Sequence, residues 1–155
     1  PDATFMFESY DTMWWQIHEM LFIEKGGQEQ IEDELSAYNP LIPQGQELVA
    51  TLMFEIDEPE RRKKLLMPLG GVEEVCCLTI NGETVTGESE ADVDRTTAAG
   101  KASSVQFIHF NLSAKQIDMF KKPDTQVSLG INHSAYGHMA ILDPKVRECL
   151  ATDFD

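Results

Sequence analysis

The hydrophobic and polar positions follow two periods along the chain, one of two residues and one of three to four. Period-two runs predict strands at residues 3–8, 48–56, 73–80, 83–86, 104–112 and 126–132. The longer period predicts helices at 11–25, 28–38, about 57–67, 113–121 and 143–150. The predicted order is therefore β-α-α-β-α-β-β-β-α-β-α.

This order predicts the fold class. Helices and strands do not alternate strictly, and Asn81-Gly82 between two runs is a strong hairpin signal. We therefore expect an α+β fold with a mostly antiparallel sheet of about five or six strands. A length of 155 residues suits a single domain spanning 1–155. Residues 86–104 are polar and small, which predicts a long loop.

The helix predicted at 11–25 is apolar almost all the way round. Such a helix is expected to be buried, so we predict that the sheet packs around it together with the shorter helices. Three polar residues, Thr12, Gln16 and Glu19, fall at spacings of four and three and form one narrow stripe. We expect this stripe to be buried and to meet polar partners, because an unpaired buried charge is costly.

The amino-acid composition argues against nucleic-acid and membrane partners. Twelve Lys and Arg against 27 Asp and Glu give a net charge of −15, which repels nucleic acid and anionic membranes. The three cysteines form no disulfide pattern and predict a reducing compartment. No apolar run approaches the ~20 residues of a membrane span. We accordingly predict a soluble, cytoplasmic protein with no nucleic-acid or membrane partner.

Four phrases point to a known family. They are FESYDTMWWQIHEML, EDELSAYNPLIPQGQELVATLMFE, DRTT followed by SSVQF, and VSLGINHSAY. In this order they resemble an uncharacterised bacterial family, domain of unknown function 3501, over nearly the whole chain. The family pattern includes a longer N-terminal arm. Its members are often encoded beside rubrerythrin, so the resemblance implies a redox or peroxide-stress role and a redox partner protein.

Individual positions carry the resemblance. The matching residues are Glu8, Asp11, Thr12, Gln16, His18, Glu19, Met20, Glu32, Glu34, Tyr38, Asn39, Pro40, Arg95, Lys101, His133 and Tyr136. The chain departs from the pattern at Gln106 and His109, where relatives often have His and then Arg.

One hypothesis is a metal site. Carboxylate and imidazole groups suit Fe, Mn or Zn. The main candidates are His18, Glu19 and His133, and the wider set adds Glu8, His109 and His138. Against this, His18 and Glu19 are sequential and project about 100° apart on a helix. The favoured explanation of this pair is a packed core histidine beside a buried, hydrogen-bonded carboxylate.

A second hypothesis is a small polar ligand pocket. Its candidate residues are Thr12, Gln16, Glu19, Arg95, Lys101, His133 and Tyr136. Convergent polar groups in an apolar cavity are typical of small-molecule sites. The alternative is a buried ion pair of Glu19 with Arg95 or Lys101 that fastens the loop to the helix.

A third hypothesis is a non-catalytic interaction protein that forms a homodimer or binds a redox partner. Two tryptophans, seven methionines and the acidic surface are compatible with it. No pattern selects one hypothesis, and the sequence shows no hydrolase nucleophile motif.

Overall fold

The computed structural model describes residues 2–89 and 101–155. These residues form eight strands and five α-helices. The strands are β1 (Ala3–Phe7), β2 (Glu47–Phe54), β3 (Cys76–Ile80), β4 (Glu83–Thr86), β5 (Glu88–Ser89), β6 (Val105–Asn111), β7 (Val127–His133) and β8 (Tyr136–Ile141). The helices are α1 (Tyr10–Glu24), α2 (Gln28–Tyr38), α3 (Pro59–Leu66), α4 (Ala114–Phe120) and α5 (Pro144–Leu150).

The strands form two four-stranded sheets. The first sheet has the order β1-β2-β6-β5 and the second β4-β3-β7-β8. Every named pair is antiparallel. The α+β class is thus confirmed, whereas the single sheet of five or six strands was wrong. Period-two patterns reveal strands but not the sheet to which each belongs, because that depends on long-range pairing.

One hydrophobic core lies between the two sheets. Its largest fully buried members from β6 are Phe110 and Ile108, and β3 contributes Leu78 and Ile80. These positions alternate with outward-facing ones along each strand, as the period-two pattern predicts. The sheets therefore share their inner faces, and each keeps a separate outer face.

The chain passes from the second sheet to the first at Gly87. The N–H of Gly87 donates to the carbonyl of Cys76 at 2.8 Å. A Cβ at this position would lie 2.3 Å from a methyl group of Ile108, so only glycine fits. This crossing explains why β5 was missed, since its two residues lie in the stretch predicted as a loop. The remainder of that loop, residues 90–100, lies outside the described residues.

Helices α1 and α2 cover the outer face of the first sheet. Met13 of α1 and Leu41, which follows α2, bury Val49 of β2. The prediction that helix 11–25 is buried was wrong, because Trp14, Trp15 and Phe22 are 47%, 64% and 75% exposed. The helix lies in an outer layer, where it packs on the first sheet and against α2 and leaves the side with Trp14, Trp15 and Phe22 exposed.

Several local predictions are confirmed. The hairpin turns at Asn81-Gly82, and Ser113 and Gln116 form a reciprocal capping box at the start of α4. Strand β8 was missed, because it is a solvent-exposed edge strand whose sequence, YGHMAI, lacks a clear apolar alternation.

Candidate functional site

A cleft of about 540 Å³ lies between α1 and the outer face of the first sheet. Its walls come from β1, β2, β6 and the first half of α1, together with the end of α2. The lining residues are Met6, Glu8, Asp11, Thr12, Met13, Trp15, Gln16, Tyr38, Thr51, Met53, Val105 and Phe107. The volume is in the range of small-molecule sites, and half of the lining residues are methionine or aromatic.

Glu8 is the buried charged group of this cleft. It directly follows β1, and its side chain is 2% exposed. Its backbone N–H donates to the carbonyl of Val49 at 2.8 Å, which extends the pairing of β1 with β2. The residue is therefore fixed by the sheet before the helix begins.

Two threonine hydroxyls hold the Glu8 carboxylate. The Thr12 hydroxyl donates to Oε2 at 2.6 Å, and the Thr51 hydroxyl donates to Oε1 in a very short contact. Ser9 is the N-cap of α1, and it exchanges hydrogen bonds with Thr12 in a capping box. The helix start thus places Thr12 over the carboxylate, while the sheet places Thr51.

The carboxylate retains binding capacity. An ionised carboxylate has about four acceptor positions, and the two hydroxyls use two of them. The ion pairs among the described residues join other groups, and none includes Glu8. The cleft therefore combines a buried carboxylate, held by neutral donors, with apolar walls.

The predicted polar stripe is divided by the structure. Thr12 and Gln16 line the cleft, and the Gln16 amide lies 3.4 Å from the hydroxyl of Tyr38. Glu19 is exposed and accepts a hydrogen bond from the indole N–H of Trp15 at 2.8 Å. The expectation of a fully buried stripe was therefore wrong at Glu19, because the helix turns this residue away from the sheet.

His133 and Tyr136 lie in the second sheet, on β7 and β8. A ring nitrogen of His133 is 3.3 Å from the carbonyl of Gly70. The Tyr136 hydroxyl accepts from the backbone N–H groups of Asp2 and Ala3 at 2.7 and 3.0 Å. Tyr136 thereby fastens the start of β1 to the second sheet, and neither residue lines the cleft.

Of the two cationic residues predicted for the ligand pocket, only Lys101 lies within the described residues. Lys101 is partly buried and precedes β6. Arg95 lies outside the described residues. Their participation in a ligand site stays a prediction.

The histidines are dispersed. His18 lies on the exposed side of α1, with its ring centroid 4.1 Å from that of Trp14. His109 Nδ1 is 3.0 Å from Glu47 Oε2, and His138 stacks beside Tyr136. Within residues 2–89 and 101–155, no three His, Cys, Asp or Glu side chains gather as metal ligands would. The metal hypothesis thus gains no support from these residues.

Adjacent cysteines occupy opposite faces of β3. Burial raises the pKa of Cys76, on the inner face, to about 12, and the neighbouring Cys77 and Glu73 add to this. Partial burial also raises the pKa of Cys77. Both thiols therefore stay protonated and weakly nucleophilic at neutral pH.

Sequence reasoning missed Thr51 and gave Glu8 only a minor part in the metal hypothesis. Thr51 carried a signal, since it is a hydroxyl within LVATLMFEI, a run that is apolar on both faces. A polar group in a strand buried on both sides needs a partner. Glu8 is that partner, but only the pairing of β1 with β2 brings the two together.

The family comparison agrees with the four phrases. The profile described as "Protein of unknown function (DUF3501)" matches residues 1–154. The chain belongs to the DUF3501 family. It is also similar to a solved structure of a novel protein of unknown function from Burkholderia pseudomallei K96243, with 35% identity and a TM-score of 0.89. That match covers 100% of this chain and 81% of the other.

Two further comparisons give negative results for this DUF3501 chain. None of the curated proteins compared with it matches. Among the helices of the described ranges, none combines the length and apolar character that crossing a membrane requires.

Proposed function

We propose that the protein binds a small organic cation, such as an amine with an apolar body, in the cleft beneath α1. The observation that carries this proposal is the Glu8 carboxylate, which is buried, held by two neutral hydroxyls and faces the cleft. Burying a charge is costly unless it is paired. An ammonium group would supply the opposite charge and fill the remaining acceptor positions.

The walls suit the rest of such a ligand. Trp15, Tyr38 and Phe107 supply aromatic rings, and a cation within about 6 Å of a ring face is attracted to it. Met6, Met13 and Met53 supply flexible, polarisable side chains that adapt to an irregular apolar body. Asp11, at the start of α1, adds negative charge to the lining and disfavours anions.

Isothermal titration calorimetry with three probes of one shape tests the proposal. Phenethylamine carries a cation, 2-phenylethanol is neutral, and phenylacetate is an anion. We expect phenethylamine to bind at least about tenfold more tightly than the alcohol, and phenylacetate not to bind. Equal or tighter binding of phenylacetate would overturn the cation preference. Failure of all three probes at millimolar concentration would overturn the cleft as their site.

Variants locate the binding. Glu8→Gln keeps the side-chain shape and removes the charge, so the preference for the amine over the alcohol should disappear. Glu55→Gln is the matched control, because Glu55 is exposed just beyond β2. Tyr38→Leu removes a wall ring without touching the carboxylate, and it should weaken amine binding severalfold even if Glu8→Gln proves too unstable to measure. Unchanged binding in both cleft variants would contradict the assignment.

The redox role and the redox partner implied by the family resemblance stay predictions, and so does the cytoplasmic location predicted from the cysteines. The cleft proposal is independent of them.

A further inference from the structure

The solvent-facing side of α1 carries a contiguous aromatic surface. Trp14, His18 and Phe22 follow one another at intervals of four residues and share a helix face, with Trp15 beside them. Together with Glu19 they line a shallow depression of about 360 Å³. We call Trp14, Trp15, His18 and Phe22 the aromatic face.

The aromatic face is held in place by its own contacts. A ring nitrogen of His18 lies 2.8 Å from the backbone carbonyl of Trp14, and the two rings are in contact. The indole N–H of Trp15 donates to Glu19 Oε2. Side chains that are already ordered lose less entropy when a partner binds, so this surface is pre-organised for an interface.

The exposed apolar area of the aromatic face is large enough for a binding surface. Each aromatic side chain can bury ~150–250 Å², and three of them here are about half to three-quarters exposed, which gives roughly 300–500 Å². Patches of this size are at the upper end of those on monomeric proteins and are often functional. Tryptophan is also among the residues most enriched at binding hot spots.

Charge decides which partner fits. The helical hairpin that carries the aromatic face, residues 9–41, contains seven carboxylates and a single cation, Lys25. The carboxylates are Asp11, Glu19, Glu24, Glu29, Glu32, Asp33 and Glu34. The whole chain has a net charge of −15, so a second copy would be repelled, whereas a basic partner would be attracted.

We propose that the aromatic face is the docking surface for a basic amphipathic segment of a partner protein, whose apolar side packs on Trp14, Trp15 and Phe22. Its basic residues would face the carboxylates of this helical hairpin, of which Glu19 lies beside the aromatic rings. This recognition mode places the apolar face of a helix against an apolar surface. It rests on the outer side of α1 and shares only Trp15 with the cleft on the inner side.

Tryptophan fluorescence of the full chain tests the proposal. Both tryptophans of the chain belong to the aromatic face, but Trp15 also lines the cleft. The titration is therefore repeated with Trp15→Phe, in which the emission comes from Trp14 of the aromatic face. The probe is a peptide of about five helical turns with a leucine face and a lysine face. Its control has glutamate in place of every lysine. We expect a saturable blue shift with the lysine peptide and none with the glutamate peptide.

Two matched variants separate docking from simple charge attraction. Phe22→Glu and Ile141→Glu each replace an exposed apolar residue, 75% and 65% exposed, and add the same negative charge. Ile141 is on β8, outside the aromatic face. We expect Phe22→Glu to weaken the peptide at least about tenfold and Ile141→Glu to leave its affinity unchanged. Because the added charge by itself would favour a basic peptide, the loss must come from the apolar contact.

Three outcomes would overturn the proposal. The first is no blue shift with the lysine peptide, and the second is equal weakening by both variants. The third is a dimer in light scattering that Phe22→Glu dissociates, which would assign the surface to a second copy. Glu8→Gln should bind the peptide normally, so failure of the cleft proposal does not affect this test.

Discussion

The two sheets share an inner core but differ at their outer faces. On the first sheet, Val49 and Thr51 of β2 point outward and are buried beneath α1 and the chain after α2. On the second sheet, Thr79 of β3 and Thr84 of β4 point outward and remain at least partly exposed. An outer face of threonines can stay in contact with water, whereas one containing valine, methionine and phenylalanine gains free energy when it is covered.

The larger cleft lies at the covered face. It measures about 540 Å³, whereas the depression beside Thr79 and Thr84 on the second sheet measures about 410 Å³. Helices touch a sheet along narrow stripes, so they leave space wherever their side chains do not fill it. In the first sheet this space lies beside Glu8 and Thr51, between α1 and β2. In the proposal made above, the cleft of the outer layer binds the ligand, while the layer between the sheets supplies stability.

The largest expected effect is in the shared core. Phe110→Ala should lower the free energy of unfolding by about 3–5 kcal/mol, because it removes a fully buried aromatic ring that the core cannot refill. Urea denaturation followed by circular dichroism measures this. Phe22→Ala is the control, and it should change stability by less than about 0.5 kcal/mol, because that ring is exposed. Similar losses in both variants would contradict the assignment of the core.

A second prediction compares the outer faces directly. Val49→Ala should lower the free energy of unfolding by about 2–3 kcal/mol, because two buried methyl groups are lost beneath Met13 and Leu41. Thr79→Ala, at an outward position of the second sheet, should have an effect below about 0.5 kcal/mol. Equal effects in the same denaturation assay would show that the helical layer does not cover the first sheet in solution.

A third prediction concerns the hydroxyl that holds Glu8. Thr51→Val keeps the side-chain shape and removes a donor to a buried carboxylate, which should cost about 2 kcal/mol of stability. Thr84→Val makes the same change on the exposed outer face of the second sheet and should be nearly neutral. A neutral Thr51→Val would mean that Glu8 does not depend on this hydrogen bond.

The smallest effect at neutral pH comes from the cysteines of β3. Because burial raises the pKa of Cys76 from 9.0 to about 12, the folded state favours the protonated thiol. This contribution to stability is present below about pH 9 and is lost as the pH rises toward 12. Wild-type protein should therefore lose stability between about pH 8 and pH 10.5, and Cys76→Ala should lose less. Denaturation at the two pH values measures both.

Cys77→Ala is the control for this experiment, because it removes the neighbouring thiol and leaves Cys76 in place. It should retain most of the wild-type loss. If Cys77→Ala removed the loss and Cys76→Ala did not, the two faces of β3 would be assigned the wrong way round. Labelling at neutral pH gives an independent measure, since exposed Cys149 should react with a disulfide reagent long before Cys76.

Local pattern predicted much of the fold because its causes are local. Alternation in LVATLMFEI indicated a strand buried on both faces, and β2 is buried on both faces. Asn81-Gly82 indicated a hairpin, and β3 pairs with β4 across it. Period and turn chemistry depend on neighbours in sequence, so one chain is sufficient to read them.

The candidate site was only partly predictable. Thr12 and Gln16 were singled out from helical spacing, and both line the cleft. Glu19 has the same spacing but faces solvent, since periodicity shows which residues share a helix side and not which side meets the sheet. The expectation that His133 and Tyr136 join them is not met among the described residues, because those two belong to the other sheet.

The sequence by itself determined the α+β class, the family, the acidic charge and the starts and ends of most helices and strands. Only the tertiary structure decided that the strands divide into two sheets, that α1 is half-exposed, and that Glu8 meets Thr51. The physical reason is that Thr51 lies 43 residues after Glu8 in the sequence. The two side chains meet only because β1 pairs with β2. The pattern of residues along the chain reflects local conformational preferences. Contacts between residues distant in sequence depend on how all the helices and strands pack together to bury their apolar faces.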